Sequence, residues 1–432
     1  MTADREIKVD YLARVEGEGA MYLKLRGDEV QDLKFKIFEP PRFFEALLRG
    51  RKFSEAPDIT ARICGICPVA YQMSSCNAME AAAGVSVGGQ LRQLRKLIYY
   101  GEWLESHALH IFFLHAPDYL GYDSAIEMAD AFGYRVASGL RLKKLGNKIM
   151  SVLGGREIHP INVKVGGFYR APTRRELDAL VDELEWGLEQ ALETVEWVAG
   201  FSFPDFERDY EFVAMRHPDE YGILDGRIVS NRGLDIPPDQ WPEHFEETHV
   251  EWSNALHAQR IGGGSYHVGP MARYSLNHAQ LSTKALMAAH DVGLGRTCHN
   301  PFKSIVVRAV EMVHACESAL EVIDGYVKPN RPSVPVTPVA STGHGVSEAP
   351  RGLLYHRYRI DEQGLIADAH IVPPTSQNQL SIEDDLRAYV PQHAHLDDER
   401  LQWELEQAIR NYDPCISCAT HFLDLTVERE ES

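Results

Sequence analysis

The sequence predicts a mainly α fold with small β-sheets, an α+β chain built as a long-helix bundle. Long stretches of helical period fill its middle, interrupted by few Pro or Gly breaks, whereas two-residue alternation is confined to the first forty residues and to a segment before the last helices. At 432 residues with 44% hydrophobic content, the chain can bury a substantial core. A formal charge of −19 without a basic run argues against nucleic acid and anionic membrane surfaces, which need clustered Lys and Arg. No apolar stretch approaches the roughly 18 residues of a spanning helix. The opening residues Met1 to Glu6 lack a signal-type apolar region and a twin arginine, so a cytoplasmic location is expected.

Taken in order, Ile7 to Phe38 reads as strands around the turn Gly27-Asp28, and within it Arg14-Val15-Glu16-Gly17-Glu18-Gly19 frees the backbone around the Glu16 carboxylate. Pro41 to Arg51 reads as a short helix on which Glu45, by spacing alone, is an ordinary surface acid. Helical patterns follow over Val69–Ala83, over Gln90–His115 until Pro117 breaks them, over Ser124–Leu153, and from the capping box Thr173-x-x-Glu176 to about Ala199. His107 and His110 are expected to be hydrogen-bonded core histidines. Residues 201–266 read as loops with a small strand-bearing excursion. Helices return over Gln280–Ala289 and Lys303–Tyr326. Ser341 to Gly352 then reads as a glycine- and proline-rich loop able to hold Arg351 rigidly. Leu353–Ile360 and Leu365–Val372 form a hairpin, Pro373-Pro374-Thr375 turns sharply, Ser381-x-x-Asp384 caps a short helix, and Asp397–Asn411 is the last helix. The organisation is one domain over 1–421, with a small β region at 5–40, helical core at 67–200 and 280–326, a hairpin region at 340–375, and a tail at 422–432.

The chemistry concentrates in two Cys-x-x-Cys pairs, Cys64/Cys67 and Cys415/Cys418, which use four of the seven cysteines. Two intervening residues let both sulfurs face one point, so two pairs complete a tetrathiolate site. Zinc pairs usually lie about 15–20 residues apart; these are separated by nearly the whole chain. Cysteines used this way suit a reducing compartment. Cys76, Cys298 and Cys316 belong to no motif and read as buried small hydrophobes.

These motifs resemble the large, catalytic subunit of nickel–iron hydrogenases. The resemblance rests on Arg62-Ile63-Cys64-Gly65-Ile66-Cys67 and Asp413-Pro414-Cys415-x-x-Cys418-x-x-His421, with Arg14-Val15-Glu16-Gly17, Gly269-Pro270-Met271-Ala272-Arg273 and Glu348-Ala349-Pro350-Arg351-Gly352 in support. It covers essentially the whole chain. It implies a nickel held by four thiolates, Cys64 and Cys415 terminal, Cys67 and Cys418 bridging to an iron that carries carbon monoxide and two cyanides. The implied reaction is heterolytic cleavage or formation of dihydrogen, with a proton passing from Cys415 to Glu16 as first relay. Arg351 and Thr375, with Pro374 beside it, are implied to surround the diatomic ligands, and Arg351 also shapes the dihydrogen pocket. Glu45, His421 and the backbone carbonyl of Ile371 match the family's second metal site, usually magnesium, which revises the spacing-only reading of Glu45.

Departures from the periplasmic members are Tyr71 where they carry His, Ser106 where they carry Asp, and Glu18 for a common His. These favour the soluble multi-subunit type linked to NAD or NADP. No Gly-x-Gly-x-x-Gly follows a strand and no cysteines remain for iron–sulfur clusters. Clusters, flavin and nicotinamide are therefore expected on partners: a small subunit with its iron–sulfur cluster, and diaphorase-type subunits. The tail after His421 resembles an extension removed by a maturation protease. Two alternatives stay open, a structural tetrathiolate zinc protein and a non-hydrogenase relative of the quinone-site subunit of complex I, whose lineage lacks the paired cysteines.

Overall fold

Strands β1 (Asp4–Val9), β2 (Gly19–Arg26) and β3 (Glu29–Ile37) form an antiparallel meander in the computed structural model, which describes residues 4–420. Alternation places Ile7, Val9, Met21, Leu23, Leu33, Phe35 and Ile37 on one buried face. That face packs on the last helices, including Ile382, Leu386, Leu405 and Ile409. The helix expected over Pro41–Arg51 shrinks to Phe44–Leu48, because Phe43 is left-handed at φ 53° and no side chain caps the start.

The bundle is made by α1 (Pro68–Ala82), α2 (Gly89–Leu109), α3 (Ala125–Gly154) and α4 (Val181–Ala199), with later helices added against them. The expected break at Pro117 does not occur there. Beyond α2 the chain continues as a π-turn, His110–His115, and then as Ala116–Leu120. Pro117 takes an early position in this segment, where its missing N–H is not required. The stop comes at Gly121, left-handed at φ 75°. At Thr173 the predicted capping box is present, but it opens only Arg174–Asp178 before α4 starts.

Residues 201–266 carry a three-stranded sheet (Val213–Arg216, Arg227–Ser230, Asp235–Ile236) and a two-stranded one, Phe245–Thr248 with His257–Arg260. Two helices matter most after it. Helix α5 (Pro270–Asn277) was not anticipated, and α6 (Ser304–Asp324) is buried on nearly every side.

Two sequence expectations are corrected near the C-terminus. Ser341 to Ala349 is strand β4, not loop, and pairs with β5 (Gly352–Ile360), which pairs with β6 (Ile366–Val372). Its glycines serve close packing: a Cβ on Gly343 would stand 1.9 Å from the Ala78 carbonyl oxygen, and one on Gly345 2.3 Å from that of Ser74, both on α1. Likewise, no short helix opens at Ser381. A single helix α7 runs Pro374–His393, with Pro374 at its first position and Pro373 as cap. Ser381 instead meets the Tyr412 hydroxyl (3.1 Å), and Asp384 accepts from Ser265 (2.5 Å). Helix α8 (Asp398–Arg410), capped by Asp397 accepting the Arg400 N–H (2.8 Å), leads into the second cysteine pair as expected.

Candidate metal centre

The two cysteine pairs meet. Cys64 follows a 3₁₀ turn in extended conformation, and its sulfur accepts the N–H groups of Ile66 (3.3 Å) and Cys67 (3.2 Å). Cys67 caps α1, whose N-terminal end favours a thiolate. From α2 the buried Glu102 accepts the Val69 and Ala70 N–H groups (2.5 and 3.1 Å), which fixes where α1 begins.

On the other side Asp413 is left-handed at φ 51°, Pro414 follows, and Ile416–Ala419 makes one turn. Cys415 and Cys418 face the helical core, whereas Ile416 and Ala419 face the cluster under the N-terminal sheet. All four sulfurs lie within 4.8 Å of one another. Cys64 is 3.5 Å from Cys415, Cys67 3.6 Å from Cys418, and Cys415 2.7 Å from Cys418.

Glu16 reaches this cluster from the N-terminal region. Its carbonyl accepts the Ile416 N–H (2.9 Å), its Oε2 accepts the Ser417 N–H (3.1 Å), and the Cys415 thiol donates to the same oxygen (3.1 Å). Burial raises its carboxyl, and the Cys64 charge adds to the shift. Arg351, buried at the β4–β5 turn, donates through Nε to the Asp413 carbonyl (2.7 Å) and through Nη2 to Asp413 Oδ1 (3.1 Å). Thr375, on the first turn of α7 after Pro374, accepts the Cys415 N–H at Oγ1 (3.0 Å). Glu45 Oε1 accepts the Ile371 N–H (2.7 Å), so those two residues are together, while His421 lies outside the described residues.

Burial pushes the thiols of Cys67, Cys415 and Cys418 up. At Cys64 burial is outweighed by hydrogen bonds from the other three sulfurs and by the Arg351 charge, and its thiol is lowered. Four protons cannot leave this dry cluster unaided; a soft divalent cation would displace them and be held by sulfur alone. The donor set therefore fits nickel. A second group, His217, Glu220 and Asp225, offers no comparable site, because Arg92 and Lys96 already neutralise its carboxylates.

Sequence reasoning missed Glu102 and the orienting role of Asp413. Asp413 belongs to the second cysteine motif, but its partner Arg351 lies 62 positions away. Tyr71, which in sequence only marks a departure from the periplasmic members, is buried against the His356 ring (centroids 5.7 Å), and burial with the neighbouring Cys418 and Cys67 sulfurs pushes its phenol well up.

Residues 42–140 and 252–421 match the nickel-dependent hydrogenase family model, and the chain belongs to that family. It is the large, catalytic subunit: it is 34% identical to the sulfhydrogenase 1 subunit alpha of Pyrococcus furiosus, over 97% of this chain and 98% of that protein. It is 29% identical to the NAD-reducing hydrogenase HoxS subunit beta of Cupriavidus necator, over 97% and 95% respectively. Among solved structures, an NAD+-reducing [NiFe]-hydrogenase in the H2-reduced state superposes with a TM-score of 0.85 at 27% identity, covering 96% of this chain and 99% of that one. The [NiFeSe] hydrogenase of Desulfovibrio vulgaris Hildenborough shares the fold, with a TM-score of 0.77.

Proposed function

We propose that this subunit cleaves or forms dihydrogen heterolytically at a nickel–iron centre with one carbon monoxide and two cyanides on iron, and passes electrons through a partner toward NAD or NADP. The observation that carries it is the four-sulfur cluster with the Glu16 carboxylate 3.1 Å from Cys415. Cys64, Cys67, Cys415 and Cys418 would hold the centre, which when bound would supply the redox chemistry of dihydrogen cleavage. Cys415 Sγ is the base that takes the proton, and Glu16, its carboxyl raised by burial, receives it at Oε2. Arg351, fixed by Asp413, keeps a cation beside the sulfurs and would contribute it to the surroundings of the diatomic ligands. Thr375 accepts the Cys415 N–H, which leaves its own O–H as a donor that could meet a cyanide nitrogen. Glu45, whose Oε1 meets the Ile371 N–H, would hold a magnesium ion together with the Ile371 carbonyl and His421, which lies outside the described residues.

Cys76, Cys298 and Cys316 are buried apart from the cluster, so iron–sulfur clusters belong to a small subunit, and flavin and nicotinamide to further subunits. The likeness to the HoxS subunit and to the NAD+-reducing structure supports the nicotinamide link. No helix among the described residues is long and apolar enough to cross a membrane; a cytoplasmic location goes with the reduced cysteines. Infrared spectroscopy of the purified enzyme tests the reading, together with nickel and iron analysis. Bands of metal-bound carbon monoxide and cyanide with nickel are expected. Stoichiometric zinc without those bands would overturn it.

A further inference from the structure

Arg273 lies on the first turn of α5, outside the cysteine motifs, and is completely buried. All five of its N–H donors are used. Nε and Nη2 take the two oxygens of Glu311 on α6 (2.9 and 2.8 Å), and Nη1 takes Glu348 Oε2 on β4 (3.0 Å). The two remaining donors reach the carbonyls of Ala349 (2.7 Å) and Pro350 (2.9 Å). The indole of Trp103 covers the guanidinium at 4.4 Å and donates to the Glu348 carbonyl (3.0 Å). Glu311 is itself held by His107 (2.9 Å) and Tyr221 (2.8 Å).

The target of this clamp is informative. Ala349 pairs with Gly352, so Pro350 and Arg351 are the two residues of a tight, buried hairpin turn. The Pro350 carbonyl is buried with the turn and needs a donor, which Arg273 supplies. The Pro350 carbonyl and the Arg351 N–H belong to one rigid peptide plane, so holding that oxygen sets the direction in which the Arg351 side chain leaves the backbone. The start of α5 presses on the same residue: a Cβ on Gly269 would stand 2.8 Å from the Arg351 carbonyl oxygen, and one on Gly352 2.7 Å from the Gly269 nitrogen. Both glycines are at positive φ, 118° and 136°. Asp413 holds the far end of Arg351. The guanidinium is thus fixed at its root by Arg273 and at its tip by the segment that carries Cys415.

We infer that Arg273 is a positioning residue for the dihydrogen chemistry: through the Pro350–Arg351 peptide it sets where the Arg351 guanidinium stands beside the four sulfurs, and Glu311 and Glu348 hold Arg273 in turn. This rests on the proposed function. Lysine keeps the charge but offers three donors at a single point, so it cannot span two carbonyls and two carboxylates.

The test compares infrared spectra and turnover of the assembled enzyme carrying Arg273→Lys, Glu348→Gln or, as reference, Arg351→Lys. Arg273→Lys is expected to keep the full set of diatomic bands, to shift the cyanide bands in the same direction as Arg351→Lys, and to lower turnover about 100-fold, the scale of an ångström-sized misplacement. Should Arg273→Lys fail to assemble, Glu348→Gln, which leaves four of the five Arg273 bonds in place, is expected to give a smaller shift of the same sign. Unchanged bands and turnover, with only a lowered melting temperature, would make Arg273 a structural residue and overturn the inference. Absence of the bands in the unaltered enzyme would instead sink the proposed function itself.

Discussion

Glu16 joins two distant parts of the chain and serves both with one carboxyl group: Oε2 accepts the Ser417 N–H and the Cys415 thiol at equal distance, 3.1 Å. Glutamine at this position can still accept the Ser417 N–H but cannot carry the proton onward. Glu16→Gln is therefore expected to retain nickel and iron while losing turnover by about 10²–10⁴-fold, the range of general acid–base catalysis. Hydrogen-dependent dye reduction alongside metal analysis checks this; full turnover would mean that the proton leaves by another route. At this scale the site was legible where chemistry is written in short motifs, as for the four cysteines, Glu16 and Arg351. It was not legible where a residue acts through a distant partner. Glu102 orients α1 from 33 positions beyond Val69, and nothing in its own helix distinguishes it from a solvated acid.

Glycine was the least reliable guide among the secondary-structure elements, because one residue type marks both a loop and a close contact. Gly343 and Gly345 suggested a loop, yet they let β4 lie directly on α1, which begins at the first cysteine pair. Pro374 suggested a turn, yet it starts a 20-residue helix that places Thr375 against Cys415. Long helices with caps, such as α3 with Ser124 accepting the Glu127 N–H, were legible nearly to the residue. The packing argument is testable. Gly345→Ala forces a methyl into the Ser74 carbonyl of α1 and is expected to cost about 1–3 kcal/mol. Gly133→Ala, in α3 beside the kink at Phe132 and with nothing outside its own stretch of helix within 4 Å of the added carbon, is expected to be neutral or stabilising by about 0.5–1 kcal/mol. Thermal melts of both variants check the contrast, and equal melting temperatures would refute the role assigned to the strand glycines.

Across the whole molecule, folding brings Glu16, Cys64 and Cys67 together with Cys415 and Cys418, so global stability and the metal site are linked, and stability carries a pH dependence set by buried groups. Burial lowers His107, His257 and His314 to about 4 and His267 to about 3. Buried carboxyls work in the opposite sense: burial raises Glu348 to about 7 and Asp385 to about 6, so the folded chain keeps protons there that the unfolded chain releases. The balance of the two sets governs the total, and one residue isolates the histidine part. His314 is enclosed by Tyr100, Tyr221 and the Ser282 N–H it accepts at Nδ1 (3.1 Å), with Glu311, Lys96 and Glu220 the charges that face it. Its folded pKa lies below the unfolded value of about 6.5, so its neutral form contributes fully above that pH. The contribution is lost as pH falls toward 4, where the unfolded chain binds a proton that the folded one refuses. Within that window one such proton corresponds to a slope of up to about 1.4 kcal/mol per pH unit. His314→Gln is expected to remove that increment, making denaturation free energy less sensitive to acid between pH 6.5 and 4 by about one proton, whatever its effect at neutral pH. Denaturant titrations at several pH values measure the slope directly; an unchanged slope would mean that His314 is protonated in the folded chain after all.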